Sequence, residues 1–431
     1  MVRFQMYPFG YLGLLMQKIR NVILLVCASG LLCCTMGFKV LNKLDIPVPN
    51  VLETNVEHSY LEGRPYTRLP ILAVDSFLSG DFQDSLETYA ADALPLRESL
   101  LLGRASLQRL GISEIATIFG YDIYPTFFES SYLHESEGNR LLAMPVKQSP
   151  TITEGLIESV DSINDFVASN PGYSYYFAMP YRSDVLGIGL LAGLVSNQLN
   201  TEFLQTEIFS RLSSDITQIG LIPASYQEYE NDYFKTDHHW NIRGAYKAYR
   251  IINEAMGNSP STLSSGKLLT FPTAQFYGSE ARNGLDTGIG TDIIQDYEFI
   301  LPEYETRIYG ELMPDDFAAS TPTYTDGFLP NSPFMNLYTN YWHGDYGQIV
   351  FINQDHKDSK NLLMVVDSFS NPIEQLFLSS YSKVYVYDPR HATINLAKFL
   401  NKYDDIDDVL ICETYQTMRN GKVITPGGTA S

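Results

Sequence analysis

The chain has 431 residues, of which 45% are hydrophobic, and its 50 acidic and 29 basic residues give a net charge of −21. This length suffices for one large domain or two ordinary ones, and the hydrophobic fraction is far too low for a protein that crosses a membrane many times. The negative charge argues against nucleic acid as a partner, because phosphates would be repelled.

The first predicted element is an apolar segment at residues 22–38, which contains no charged residue and follows Arg3, Lys18 and Arg20. Its length is near the lower limit of the roughly 20 residues that span a bilayer. A basic region before an apolar core is typical of a signal sequence, but residues 35–39 offer no small-x-small cleavage site. We therefore predict an uncleaved single-pass anchor, with residues 1–21 cytoplasmic and the rest extracellular. A cleaved signal peptide is the alternative.

The four cysteines constrain the rest of the chain. Cys27, Cys33 and Cys34 lie within the apolar segment, so Cys412 is the one thiol beyond it and no disulfide can form within the remainder. No cysteine or histidine spacing is typical of a zinc site. Cys412 follows three aliphatic residues, which predicts a small buried side chain.

Two regions follow the anchor. Residues 39–76 are rich in proline and predict an extended stalk, and residues 77–431 form the ectodomain. Within the ectodomain, hydrophobic periodicity predicts helices over 77–110, 147–169 and 183–216, a strand at 175–179, and long loops with short strands over 257–345.

The C-terminal third alternates strand and helix patterns. Compact apolar runs predict strands, and helical stretches lie between them; the strands are Gln348–Ile352, Leu362–Val366, Lys383–Tyr387 and Val409–Cys412, and the helices are Pro372–Ser380 and Thr393–Asn401. Strands separated by helices indicate a parallel sheet with crossover helices. The predicted fold class is therefore α/β, a parallel sheet flanked by helices, with insertions.

A cluster of polar chemistry precedes a predicted helix at residues 242–249. Asp237, His238, His239 and Trp240 are consecutive, in a chain with only seven histidines. Histidine moves protons near neutral pH, and an aspartate two residues away can hold one ring nitrogen so that the other faces a nucleophile. Trp240 is predicted to be a buried wedge, and either Asp237 or Asn241 can cap the helix.

A serine follows the strand at Leu362–Val366. Ser368 therefore lies at the C-terminal end of a parallel strand, where α/β sheets present their ligands. The turn and the helix predicted after it are expected to aim free backbone N–H groups at the site, as in an oxyanion hole. Asp367 can stabilise the turn or belong to the site, and we favour the turn.

Further candidates for substrate binding lie at other strand ends. Tyr181 and Arg182 follow the strand at 175–179, and Arg390 follows the strand at 383–387, so all three are expected at the same sheet edge. Trp342, in a group with Tyr338, Tyr341 and His343, can stack on a sugar ring, although packing would also explain these aromatic residues.

The chain resembles a known family in several blocks. Thr236–Asn241, Val365–Phe369, Tyr387–Arg390 and Asp92–Leu101 resemble the DHHW family of Gram-positive bacteria and are similar to the alginate O-acetylation proteins, which are SGNH-hydrolase-like. The resemblance implies Ser368 as the nucleophile, His239 as the general base and Asp237 as its orienting acid. His238 occupies a variable position and receives no role. Val366 departs from the glycine that many superfamily members have there.

These observations predict a membrane-anchored acyl-ester enzyme, an O-acetyltransferase or esterase that acts on a cell-envelope polysaccharide, with no cofactor and no metal. The expected partners are the glycan or an acyl-donor protein. One alternative is a non-catalytic glycan-binding or scaffold protein with the same fold. The other is a metal-dependent phosphoesterase with Asp237, His238 and His239 as ligands, which is less favoured because no matching Asp/His block lies upstream.

Overall fold

The computed structural model describes residues 58–94, 96–121, 123–125, 132–135, 139–143, 154–181, 208–258, 265–314, 329–339, 345–355, 359–421 and 423–424. The predicted anchor at 22–38 and the candidate site residues Arg182 and Trp342 lie outside these ranges. Within them, none of the helices combines the length and the apolar character needed to cross a bilayer.

The chain divides into two compact units, Met1–Arg104 and Ala105–Ser431. The first contains a short antiparallel hairpin and helices; these are β1 (His58–Ser59), β2 (Arg64–Pro65), α1 (Val74–Ser79), α2 (Asp81–Asp92) and the first part of α3 (Arg97–Ile118). The helical pattern predicted over 77–110 is thus divided among three helices. Gly80 separates α1 from α2 because its φ of 94° lies in the left-handed region, which ends a helix.

The second unit is built on a mixed sheet, which has eight strands in the part of the chain that is described. In spatial order they are β11 (Glu311–Leu312), β10 (Tyr304–Ile308), β12 (Gln348–Asn353), β14 (Lys383–Tyr387), β13 (Asn361–Val366), β15 (Asp408–Cys412), β6 (Ser174–Pro180) and β7 (Ile216–Leu221). The five strands from β14 to β7 are parallel, whereas β10, β11 and β12 pair in antiparallel fashion.

The prediction of an all-parallel sheet is therefore wrong for β12, which runs antiparallel to β14. The reason is the connection at residues 354–360. It is too short for the crossover of a dozen or more residues that links parallel strands. The end of β12 consequently lies at the same sheet edge as the start of β13, and the two strands run in opposite directions.

Helices cover the sheet and complete one continuous core. They are α4 (Glu154–Ser169), α5 (Tyr226–Asp232), α6 (Ile242–Ala255), α8 (Leu396–Lys402) and α9 (Tyr415–Arg419), whereas α7 (Ser279–Asn283) packs through Ala281 in a smaller, separate cluster with Leu141 and Ile289. Apolar residues recur at helical spacing on the buried face of α6, namely Ile242, Ala245, Tyr249 and Ile252. The residues Leu362–Val366 of β13 are all buried, as expected for a strand covered on both faces.

Several predicted elements differ from the structure. In the region predicted as loops and short strands, the twelve-residue β8 (Ser265–Phe276) pairs with β9 (Asp292–Phe299) through two register shifts. Those irregularities hide the regular alternation that identifies a strand. The predicted helix at Pro372–Ser380 is instead a 3₁₀ segment, Glu374–Ser379. A small sheet of β3 (Ile123–Pro125), β4 (Tyr132–Glu135) and β5 (Arg140–Ala143) completes the described elements.

Candidate active site

The cluster of histidines lies on a closed loop between α5 and α6. Tyr233 and Trp240 form an antiparallel bridge, and the backbone N–H of Phe234 donates to the carbonyl of His239 at 3.2 Å. Trp240 is buried, as predicted, with its ring edge-on to Phe369 at 5.3 Å between centroids. The loop is therefore held at both ends and presents its middle residues in a defined orientation.

Of the two candidate caps of α6, the structure uses Asn241. Its side-chain oxygen accepts hydrogen bonds from the N–H groups of Arg243 and Gly244 at 2.9 and 3.3 Å. Asp237 is consequently not occupied by capping, and its carboxylate is left for His239.

Asp237 and His239 form a close pair. Oδ1 of Asp237 lies 2.6 Å from Nδ1 of His239 and also accepts from the His239 backbone N–H at 3.1 Å. Its Oδ2 accepts from the backbone N–H of Ser279 at 2.7 Å. Both oxygens of this buried carboxylate are thus used, and the Nδ1 contact assigns the ring proton to Nδ1 in the neutral imidazole.

The electrostatics of Asp237 favour its charged form. Burial opposes that charge, but the neighbouring His239 and His238, together with the hydrogen bonds from His239 and Ser279, outweigh it and lower the pKa of Asp237 well below its usual value. The carboxylate therefore remains ionised and can stabilise an imidazolium on His239.

A second layer supports this loop. Asp292 accepts from the backbone N–H groups of Lys235 and Thr236 at 3.0 and 2.8 Å, and from the Thr236 hydroxyl at 2.5 Å. Gly278 packs so closely that a methyl group there would overlap Asp237. The position of Asp237 is thus set by contacts from residues that lie 40 or more positions away in the sequence.

Ser368 follows the C-terminal end of β13 and begins a short 3₁₀ turn, Ser368–Ser370. The side chain of Asp367 accepts from the N–H groups of Phe369 and Thr414 at 3.1 and 2.8 Å and from the Thr417 hydroxyl at 2.9 Å. Asp367 therefore stabilises the turn and ties it to the end of β15, the role that we favoured from the sequence.

The two blocks meet at the sheet edge. Nε2 of His239 lies 3.0 Å from Oγ of Ser368, a residue 129 positions later in the chain. Asp237, His239 and Ser368 therefore form one continuous hydrogen-bonded row. Since Nδ1 carries the proton of the neutral ring, Nε2 can accept the proton of the serine hydroxyl.

The N–H groups of the turn are mostly occupied. Those of Phe369 and Ser370 donate to Asp367, and that of Asn371 donates to the carbonyl of Ser368. The expectation that several of these groups are free is thus wrong, because the turn is 3₁₀ and its side-chain cap and short-range bonds consume them. The N–H of Ser368 donates to none of the described residues, so it is the backbone donor that this turn offers to an oxyanion.

A cavity of about 320 Å³ contains Ser368, and nine of the ten residues that line it carry polar side chains. The other lining residues are His238, Asp367, Phe369, Arg390, His391, Thr414, Gln416, Thr417 and Asn420. Phe369 is the one large apolar side chain among them. Such side chains suit a hydroxyl-rich ligand.

Arg390 lies in this cavity, paired with Asp388. Its Nε and Nη2 contact the Asp388 carboxylate at 2.6 to 3.2 Å, and the Arg390 side chain remains 28% exposed. Its Nη1 makes no hydrogen bond to any residue that the structure describes. The charge of Arg390 is therefore largely compensated, while N–H groups remain for an oxygen of a bound molecule.

Tyr181 does not line this cavity. It is buried, and its ring packs edge-on against Tyr229 and Tyr233 beneath the histidine loop. The strand-end argument finds Arg390 but misses the residues from Thr414 to Asn420, although they follow β15 at the same edge. The same rule applied to the end of the strand at 409–412 would have identified them.

Asp237, His238 and His239 place their potential ligand atoms within 4.8 Å of one another, the only such group among the described residues. Those atoms already make hydrogen bonds: Asp237 to His239 and Ser279, His239 to Ser368, and Nδ1 of His238 to the Ser279 hydroxyl at 2.6 Å. A cation here would have to replace these bonds, so the arrangement fits proton transfer better than metal binding.

Comparison with protein families and with curated proteins gives no match, but solved structures do match. A DHHW family protein from Eubacterium siraeum superposes with a TM-score of 0.54 and 15% identity, over 69% of this chain and 97% of that one. PatB1 of Bacillus cereus, solved with a sulfonyl adduct, superposes with a TM-score of 0.50 and 19% identity, over 67% of this chain and 97% of that one. The O-acetyltransferase domain of Pseudomonas putida AlgJ superposes with a TM-score of 0.35 and 12% identity, over 68% of this chain and 90% of that one.

The resemblance to the DHHW family is therefore confirmed at the level of the fold. The mixed α/β architecture, with its large central sheet and covering helices, resembles that of the DHHW family protein of Eubacterium siraeum over the 69% of this chain that superposes.

Proposed function

We propose that this chain is a serine-dependent acyl-ester enzyme, an O-acetyltransferase or esterase of the SGNH-hydrolase-like type, that acts on a cell-envelope polysaccharide. The observation that carries the proposal is the hydrogen-bonded row of Asp237, His239 and Ser368, with separations of 2.6 and 3.0 Å. These are the distances at which a base takes the proton of a nucleophile and an acid orients the base.

The first half of the reaction forms an acyl-enzyme. Oγ of Ser368 attacks the carbonyl carbon of the acyl donor while its proton passes to Nε2 of His239. The oxyanion accepts a hydrogen bond from the Ser368 N–H, and Asp237 stabilises the imidazolium. When the tetrahedral intermediate collapses, the donor's alkoxide leaves and takes the proton from His239.

The second half releases the acyl group. A sugar hydroxyl, or water in the esterase reaction, gives its proton to Nε2 of His239 and attacks the carbonyl carbon of the acyl-serine. Collapse of this intermediate returns the proton from His239 to Ser368 and releases the new ester or the free acid. Every proton moves through one imidazole nitrogen, so no cofactor is needed.

The side chains of the cavity support the proposal of a polysaccharide acceptor. The amide and hydroxyl side chains, with the open Nη1 of Arg390, provide donors and acceptors for sugar hydroxyls. Because Asp388 compensates the charge of Arg390, we propose that Arg390 donates to a neutral substrate oxygen. Placement outside the cell, with residues 22–38 as the anchor, belongs to the same proposal.

A sulfonyl fluoride reagent tests the nucleophile on the purified full-length chain. Attack by Oγ of Ser368 on sulfur displaces fluoride, and the hydroxyl proton passes to His239. We expect stable labelling of the parent chain, none of Ser368→Ala, and much slower labelling of His239→Gln, with His58→Gln, outside the cavity, as the histidine control. Equal labelling of the parent and Ser368→Ala would refute the assignment.

A further inference from the structure

Tyr338 contacts both the base and the nucleophile turn of the proposed site, on which this inference rests. Its ring stacks on the imidazole of His239, with centroids 3.7 Å apart and planes inclined by 11°. Its hydroxyl donates to the carbonyl of Ser368 at 2.9 Å and contacts that of Phe369 at 3.4 Å. One side chain therefore connects residues that the sequence separates by 129 positions.

Three aromatic rings surround the imidazole of His239 and restrict its rotation. Tyr338 lies on one side, and the rings of His238 and Phe369 approach at 3.9 and 4.7 Å between centroids. The ring of Tyr338 is itself held by Phe234, whose ring meets it edge-on at 6.3 Å and 89°. Because Tyr338 is 1% exposed, it has little freedom to leave the stack.

We propose that Tyr338 is a positioning residue. Its ring fixes the plane of the His239 imidazole by stacking, and its hydroxyl fixes the position of the Ser368 backbone by a hydrogen bond. The stack also acts in the transition state. When His239 takes the serine proton it becomes a cation over the face of Tyr338, and a cation within about 6 Å of an aromatic centroid is attracted to the ring. This attraction exists only while His239 is protonated, so it accelerates the reaction and does not strengthen substrate binding.

Two substitutions separate the parts of this role. Tyr338→Phe keeps the stacked ring and removes the hydroxyl, so we expect the maximum rate of sulfonyl labelling to fall about 5-fold, the equivalent of one hydrogen bond. Tyr338→Leu removes both contacts, and we expect a fall of about 100-fold, as for a base displaced by about 1 Å. The reagent concentration that gives half the maximum rate should remain close to that of the parent in both variants.

Tyr249→Phe is the matched control. Tyr249 is also fully buried and hydrogen-bonded, to Ser379 at 2.7 Å, but it lies in the core away from the cavity. We expect Tyr249→Phe to lower the urea concentration at the midpoint of unfolding about as much as Tyr338→Phe does, and to leave the rate of sulfonyl labelling unchanged. A purely structural role for Tyr338 would make the two variants behave alike.

The magnetic resonance signals of His239 give a readout that is independent of catalysis. A ring stacked on the imidazole shifts its C–H proton signals upfield, and His239→Gln identifies those signals. We expect Tyr338→Phe to retain the upfield shift and Tyr338→Leu to reduce it to the part that the rings of His238 and Phe369 cause.

Labelling of Tyr338→Leu at the parent's rate, or unchanged His239 signals in that variant, would overturn the role of Tyr338 and leave the proposed function standing. Absence of labelling in the parent chain would overturn the proposed function and this inference with it. If Tyr338→Leu does not fold, the comparison of Tyr338→Phe with Tyr249→Phe decides, because only the former should lower the labelling rate.

Discussion

Gly278 lies directly against Asp237, and a methyl group at position 278 would overlap the Cβ and Cα atoms of Asp237 and the carbonyl oxygen of Thr236. We therefore expect Gly278→Ala to push Asp237 away from His239 and to lower the turnover of p-nitrophenyl acetate about 100-fold. Gly172→Ala is the control, because a methyl group there meets open space and the backbone is not left-handed. Parent-like turnover in Gly278→Ala would show that this contact does not position the acid.

Asp237→Asn should impair catalysis through the tautomer of His239. The amide can donate to Nδ1, which moves the ring proton to Nε2, and Nε2 then cannot accept from Ser368. We expect turnover to fall by up to ~10⁴-fold. Asp408→Asn makes the same change at a buried carboxyl at the opposite edge of the sheet, and there we expect a loss of stability with near-normal turnover. Equal turnover in the two variants would contradict the assignment of Asp237.

Arg390→Lys should weaken the use of an acceptor more than the hydrolysis of a small ester. Lysine cannot hold Asp388 with two nitrogens while offering a third donor to the cavity. We expect acetyl transfer to an added polysaccharide to fall about 10-fold, the equivalent of one hydrogen bond from a charged donor, with little change in p-nitrophenyl acetate hydrolysis. Arg307→Lys, in a half-buried pair with Glu305, is the control. A parallel loss of both reactions would place Arg390 in a structural role alone.

We expect the stability of the fold to depend on pH through Glu413. Burial, reinforced by the charges of Asp367 and Asp388, raises the pKa of Glu413 well above its usual value. The folded chain thus keeps a proton that the unfolded chain releases above the ordinary glutamate pKa of about 4.3. The free energy of unfolding should therefore decrease as the pH rises from that value towards the folded-state pKa, by up to about 1.4 kcal/mol per pH unit.

Glu413→Gln keeps the shape and removes this titration. We expect urea unfolding to show that the variant equals the parent near pH 4 and is more stable than the parent at pH 8. Glu254→Gln, on an exposed face of α6, controls for the change in net charge and should follow the parent. A Glu413→Gln variant less stable than the parent at pH 8 would mean that the carboxylate, once ionised, is compensated in the fold.

The sequence identifies the local parts of the site well, because the chemistry is concentrated in short segments. Asp237 and His239 are two positions apart, and Ser368 follows a recognisable buried strand. What joins them is not local. Asp292, Gly278 and Tyr338 act through contacts with residues 30 to 99 positions away, and no periodicity marks such partners. Tyr338, which the sequence offers as a sugar-stacking candidate, instead stacks on His239.

In the fold, too, the local elements are predicted from the sequence and the long-range arrangement is not. The strands at 362–366, 383–387 and 409–412 are predicted nearly to the residue, because continuous apolar runs are unambiguous when both faces of a strand are covered. The direction of β12 depends on the length of the connection after it and on which strands it pairs with, so its composition does not reveal it. The 3₁₀ segment at Glu374–Ser379 also has a helical pattern, since helices of both kinds bury residues at a spacing of three.

The proposed function requires Ser368 to carry the acyl group between donor and acceptor. The most direct measurement is peptide mass mapping of the full-length chain after rapid acid quenching of its reaction with p-nitrophenyl acetate. We predict one added acetyl group on the peptide that contains Ser368, its loss when a polysaccharide acceptor is added before quenching, and its absence in Ser368→Ala. Release of p-nitrophenol at the parent's rate by Ser368→Ala, or an acetyl group located only on another residue, would show that Ser368 is not the nucleophile.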